Sequence, residues 1–239
     1  MIARLLGAAQ FLTVLPVRGR TAPTGQSAIF FPLIGAVMGA AGGLFLQVAG
    51  SFLPQTIAAL LALSVWALLS GGLHEDGFAD VVDAFRSGRS RDKILSILKD
   101  SRIGAHGALA LILITLIRWQ ALSAIVSEPV RALAAIFAVS RSSLVVLAWV
   151  TPPAGGGLGF EFSRTLNTVV AIAVIIQACI FSFFSGAGVL LVWGGSIIVL
   201  CARIYFMRRI GGATGDCLGA TGLLVETWGL ILFTCQRCM

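Results

Sequence analysis

Seven apolar stretches, at about 28–50, 54–72, 105–127, 130–151, 166–184, 187–207 and 217–235, leave this chain few ways to fold. Each approaches the roughly 20 residues that a helix needs to cross a hydrocarbon core. A backbone in lipid must satisfy its own hydrogen bonds, which a helix does locally. The pattern predicts an all-α, polytopic integral membrane bundle of about six to seven transmembrane helices, built as a single membrane-embedded domain over residues 1–239. Charge agrees: only 11% of residues are Asp, Glu, Lys or Arg, against about 25% in soluble domains. Between Val169 and Met207 the apolar run is too long for one crossing. A hairpin turning at "SGAG", 185–188, and one long tilted helix both remain open. Residues 1–15 read as a retained, partly amphipathic helix at the interface, since Pro16 and Arg18 follow the apolar stretch and no A-x-A cleavage site appears.

The net charge of +7 is read as a topology signal, with no nucleic acid expected. Seven spans put the N-terminus, 73–104, 152–165 and 208–216 on one side. Arg4, Arg18, Arg20, Arg86, Arg89, Arg91, Lys93, Lys99, Arg102, Arg164, Arg208 and Arg209 all fall there, whereas only Arg131 and Arg237 lie clearly opposite. Basic residues mark the cytoplasmic side, so the expectation is a multi-pass cytoplasmic (inner) membrane protein with those segments facing the cytoplasm. The five cysteines include a terminal C-x-x-C, Cys235 and Cys238. It has no second Cys/His pair, so a zinc or redox role is not expected.

Inside the first span Gly35, Gly39 and Gly43 form a small-residue ridge, the pattern that lets helices approach closely in lipid. Arg118 and Arg141 lie well inside predicted spans, where a charge faces a cavity or a partner. For Arg141 a site-lining role is favoured; for Arg118, snorkelling or a shifted boundary stands beside it.

Six of the ten acids (Glu75, Asp76, Asp80, Asp83, Asp92, Asp100) and both histidines, His74 and His106, crowd into "GGLHEDGFADVVDAFRSGRSRDKILSILKDSRIGAHG", 71–107. On a helix Asp76, Asp80 and Asp83 project within about 60° of one another. Three anions on one face repel unless a cation intervenes. Hard oxygen ligands suit Mg²⁺, which leaves coordination positions for substrate phosphate. Acids complementing a helix N-terminus, or a solvated face, are the alternative. Gly77 is expected to let substrate approach closely. His74 falls roughly 160° from Asp76, so it either precedes the helix or is no co-ligand.

Arg86, Arg89, Arg91, Lys93, Lys99 and Arg102 follow the acids. Of these Arg86, Arg89 and Arg102 are the favoured phosphate contacts, with topology and anionic lipid as the competing account. On the same side "RRIGGATGDCLGA", 208–220, pairs a glycine-rich turn with Asp216 at a helix start, an arrangement that favours anions. "GGGLG", 155–159, is a weaker case of the same kind. His74 and His106 are candidates for proton transfer.

Taken together, "GGLHEDGFADVVDAF", "KDSRIGAHG", "AVSR" and "GGATGDCLGA" resemble the motifs of the cobalamin synthase family, the adenosylcobinamide-GDP ribazoletransferases. "FLTVLPV" and "FFPLIGAVMGAAGG" are similar to that family's opening, so the resemblance runs nearly the whole chain in order. It implies a Mg²⁺-dependent inner-membrane enzyme that joins adenosylcobinamide-GDP to α-ribazole, or its 5′-phosphate, and releases GMP. Its catalytic domain would hold an active-site segment at about 73–104 and a second polar loop at about 208–216. The matching positions are His74, Asp76, Asp80, Asp83, Asp100, Ser101, Arg102, Gly104, His106, Arg141, Gly215 and Asp216. The implied roles are metal binding for Asp76, Asp80 and Asp83, and catalysis for Asp80, Asp83, His74 and His106. Substrate binding would fall to Arg86, Arg89, Lys99, Asp100, Ser101, Arg102, Arg141, Gly215 and Asp216. Ala84 stands where the family often has Gly, and Leu223 where it usually has an acid; Glu226 aligns with the later acid. CDP-alcohol phosphotransferase-like and prenyltransferase-like enzymes are the alternative, but their motifs are absent. The expected partners are the two substrates and the lipid bilayer; a homo-oligomer, or a complex with other cobalamin-assembly enzymes, stays open.

Overall fold

The computed structural model describes all residues except 17, 88, 89, 101, 187 and 236–239, and leaves out the side chain of residue 158. Arg89, Ser101, Arg237 and Cys238 therefore lie outside the described residues. The described chain is helical: α1 (Ile2–Leu12), α2 (Thr24–Ser27), a 3₁₀ turn (Ala28–Phe30), α3 (Phe31–Ala49), α4 (Gln55–Ser70), α5 (Leu73–Ser87), α6 (Arg91–Ile97), α7 (Ala105–Ala124), α8 (Pro129–Val150), α9 (Leu158–Thr165), α10 (Thr168–Phe183), α11 (Gly188–Ile210) and α12 (Gly215–Thr234). Among the described residues the one β feature is an isolated bridge between Pro153 and Ala213.

Five segments are long and apolar enough to cross a membrane alone: Thr24–Ala49, α7, α8, α11 and α12. The short α4 and α10 reach that length only with their bent neighbours, α5 (87°) and α9 (100°). The polytopic all-α expectation therefore holds, at five to seven spans. The 166–207 question resolves as a hairpin: α10 stops at Phe183, Gly186 turns at φ 85°, and α11 packs back against α10.

Packing centres on α8, buried along most of its length, and α12. The glycine ridge of α3 lies against α8 in antiparallel register. A methyl group on Gly35 would strike the Phe137 carbonyl, one on Gly39 the Leu133 carbonyl, and one on Gly43 the backbone at Pro129 and Val130. Lipid offers helices no hydrophobic drive to associate, so close backbone approach supplies the dispersion that holds this pair. Trp66 of α4 closes the same layer, its indole Nε1 donating to the Met38 carbonyl at 3.0 Å.

Gly71 and Gly72, both left-handed (φ 65° and 69°), turn the chain sharply after α4. The acidic α5 then packs between α12 and α7. Its charges are tolerated there because the bundle provides partners, described below.

Substituting Gly39→Val would force α3 off α8, since the obstacle is backbone. The expected loss is about 1–3 kcal/mol, read as a lowered unfolding midpoint in detergent micelles.

Candidate active site

All four segments predicted to share a side meet around one cavity of about 620 Å³. From α5 come Leu73, His74 and Asp76; from α6 and its end, Leu95, Leu98 and Lys99. Two glycine-rich loops supply Ala154 to Gly157 and Gly159 on one side, and Thr214 to Asp216 on the other. These loops are zipped together. The Ala154 N–H donates to the Ala213 carbonyl and the Ala213 N–H to the Pro152 carbonyl, each at 2.9 Å. A side chain at Gly159 would collide with Gly215. Gly155 and Gly157 adopt φ of 96° and 90°, a conformation that L side chains rarely take. The "GGGLG" loop, weak as a sequence signal, is thus half of the cavity's polar wall. The other wall, from α1 and the strap behind it (Gly7, Gln10, Phe11, Thr21, Ala22, Thr24), carried no functional signal. Residues 1–15 read only as an interfacial helix.

The N-terminus of α12 opens into this cavity. Thr214 caps it, its Oγ1 accepting from the Cys217 N–H at 3.4 Å, and Thr214 Oγ1 also donates to Asp216 at 3.3 Å. Uncompensated N–H groups and the helix dipole favour an anion at such an end. Gly77 brings α5 onto this turn: a Cβ there would lie 3.0–3.1 Å from the Asp216 backbone. Close approach at Gly77 therefore serves helix packing rather than substrate entry. As a result Asp80 feels the charges of Asp76, Asp216 and Asp83 together.

Asp83 takes a different place from its two neighbours. It is buried, and its oxygens accept from the Gly104 N–H at 2.7 Å and the Gly107 N–H at 2.8 Å. It caps α7 from outside that helix and closes its positive end. Among the described residues, no three His, Cys, Asp or Glu side chains lie close enough to hold one ion together. The carboxylates nearest the cavity are thus Asp76 and Asp216, with Asp80 half-buried beside them. Such a set suits Mg²⁺, which takes one or two carboxylates and completes its shell with water and phosphate.

His74 lies within α5 and is buried, so it belongs to the helix and points away from the Asp76–Asp80 face. It packs near Gly219 and Gly222 of α12, and its Nε2 has no hydrogen-bond partner among the described residues. His106 is exposed on the first turn of α7 and does not line the cavity. Of the basic candidates Lys99 lines it; Arg86 and Arg102 are exposed outside it. Arg102 forms a forked pair with Asp100 (3.0 and 2.7 Å), whose hydrogen bonds hold that carboxyl down at about 2.

Arg141 is also outside the cavity, contrary to the favoured site-lining reading. It donates to Glu226 Oε2 and to Ser140 Oγ, each at 2.8 Å. Glu226 in turn binds Arg118 through its other oxygen, and Arg118 Nη1 reaches Glu75 Oε1 at 2.8 Å. Two cations and two anions from α5, α7, α8 and α12 thus neutralise one another in the bundle interior. Arg118 is explained by a partner, with no need for snorkelling. The network also accounts for Glu226, while Leu223 is buried apolar surface of the same helix.

The family described as cobalamin-5-phosphate synthase matches residues 4–234 of this chain. The chain belongs to that family. It is 38% identical over 233 residues to an adenosylcobinamide-GDP ribazoletransferase of Bradyrhizobium diazoefficiens, covering 92% of this chain and 88% of that one. It is 38% identical over 225 residues to enzymes of the same name from Escherichia coli O139:H28 and Shigella boydii serotype 18, covering 88% of this chain and 90% of each. No solved structure matches it.

Removing the shared carboxylate tests the network in this cobalamin-5-phosphate synthase family member. Glu226→Ala leaves the buried Arg141 without a carboxylate and Arg118 with Glu75 alone, and the expected destabilisation is about 3–5 kcal/mol. Chemical unfolding in micelles measures it.

Proposed function

We propose that this chain is an adenosylcobinamide-GDP ribazoletransferase. It joins adenosylcobinamide-GDP to α-ribazole, or its 5′-phosphate, and releases GMP, at the cytoplasmic face of the inner membrane. The observation that carries the reading is the convergence of three elements on one cavity in a member of this family. These are the Asp76 and Asp216 carboxylates, with half-buried Asp80 beside them, the open N-terminus of α12 and the paired glycine loops.

The chemistry is attack of a ribazole hydroxyl on a diphosphate phosphorus, with a nucleoside monophosphate as leaving group. Transfer of this kind depends chiefly on position and on fields that meet the developing charge. Asp76 and Asp216 would hold Mg²⁺, with half-buried Asp80 adding negative charge beside them. The ion supplies neutralisation of the phosphoryl oxygens when bound. The chain's own groups do the rest. Backbone N–H groups at 155–157 and at the start of α12 orient the diphosphate, and Lys99 places a positive charge beside it. Asp83 acts by fixing α5 against α7, so its contribution is to aim Asp80. His74 borders the cavity, but its Nε2 is buried and its ring lies toward α12, so proton transfer is not assigned to it. Exposed Arg86 and Arg102 serve topology and lipid headgroups better than the cavity.

GMP release in detergent micelles, from adenosylcobinamide-GDP and α-ribazole, decides the matter. Wild-type protein is expected to need Mg²⁺, and Asp80→Asn to lose activity by at least about 10²-fold, the scale on which charge-stabilising groups act. Full activity of Asp80→Asn, or turnover in excess chelator, would contradict the metal assignment.

A further inference from the structure

The cavity has an apolar corner that diphosphate chemistry leaves unused. Phe11 of α1 and Phe162 of α9 line it together with Leu95, Leu98, Leu144 and Leu218. The two rings belong to a compact cluster of three nearly parallel rings completed by Phe31 of α3. Phe11 and Phe162 are 5.9 Å apart at 23°, Phe11 and Phe31 5.3 Å apart at 20°, and Phe31 and Phe162 5.7 Å apart at 3°. Phe31 and Phe162 are fully buried, which fixes the cluster; Phe11 is half-buried at the cavity edge. Rings held in this way form a rigid platform for a planar ligand, because little side-chain freedom remains to be lost on binding.

We propose that this corner is the subsite for the aromatic base of the acceptor nucleoside, with Phe11 as its stacking face. The assignment rests on the ribazole-transfer reading above. Both substrates carry an aromatic base, and the lining decides between them. Guanine presents an amide edge that loses its water on burial and then needs partners. The corner's four leucines and two phenylalanines provide none. A ribazole base is a benzimidazole, a fused ring system with no exocyclic amino or carbonyl group, and it matches an apolar slot. Gln10, Thr21 and Thr24, which line the same cavity, are read as meeting the ribose. A free ribose ring hydroxyl, rather than the 5′ position that carries the phosphate in the alternative acceptor, then faces the wall of Asp76, Thr214 and Asp216, where the diphosphate is read to lie. In this arrangement α1 is a substrate-binding element rather than only an interfacial anchor.

The test uses the full chain in micelles, comparing wild type with Phe11→Ala and Phe11→Tyr. Loss of one base–aromatic stack is expected to raise KM for α-ribazole about tenfold or more in Phe11→Ala. The KM for adenosylcobinamide-GDP and kcat should stay within about twofold, and Phe11→Tyr should restore the α-ribazole KM. A rise confined to the adenosylcobinamide-GDP KM would overturn the assignment and place guanine here. Unchanged constants, or equal loss in both KM values with no rescue by Tyr, would also overturn it. Calorimetric binding of α-ribazole alone separates this result from failure of the transfer reading. Protein that binds α-ribazole through Phe11 yet releases no GMP keeps the subsite and refutes the transfer.

Discussion

A carboxylate deep in a lipid-embedded bundle has to be neutralised where it stands, and Glu226 is neutralised twice. One oxygen binds Arg118 of α7 and the other Arg141 of α8. Arg118 extends the chain of charge to Glu75 on α5. Taking ions out of water costs several kcal/mol each, returned only when the geometry is good and the partners are complete. The arrangement therefore specifies structure more than it adds stability. It admits one axial position for α5 relative to α7, α8 and α12, because sliding any of them would strand a charge. The acids at 76 and 80 inherit that position.

This anchoring divides α5 by function along its own surface. Glu75 and Asp83 are both spent on the bundle, one on Arg118 and one on the first turn of α7. Asp76, between them in sequence, lines the cavity, with half-buried Asp80 beside it. Asp83 also removes a competitor. By capping α7 it closes one of two neighbouring positive helix ends, leaving that of α12 for a bound anion.

Much of this was legible from one strand of letters because lipid narrows the choices. Apolar run length gives the helices, the Gly35–Gly39–Gly43 spacing gives the α3–α8 contact, and the side-by-side alternation of loops predicts which segments meet. The carboxylate spacing also singles out the face of α5 from which Asp76 reaches the cavity. What spacing cannot carry is the identity of partners distant in the chain. Asp83 looks like Asp76 and Asp80 until Gly104 and Gly107 are brought beside it. Arg141 looks like a site residue until Glu226, 85 positions on, is seen to hold it. Residues 7–24 named no site residue because small and aromatic residues on an amphipathic helix read equally as a lipid-facing stripe.

That ambiguity has a physical origin in the way the cavity is built. A soluble enzyme recruits polar loops to enclose its substrate, and their composition advertises them. Here most of the polar equipment is backbone, in the turns at 155–157 and 211–216, and glycine carries no chemical label. The apolar walls draw on the same Phe and Leu that the bilayer requires anyway. A site made of backbone amides, a few acids and lipid-compatible side chains can sit at membrane depth with little uncompensated charge. On the proposed ribazoletransferase reading, such a site would bind its anionic ligand when cation and diphosphate arrive to neutralise each other and the carboxylates. Occupancy by either one alone would leave unbalanced charge in a low-dielectric setting, so on that reading binding of metal and of diphosphate is mutually reinforcing.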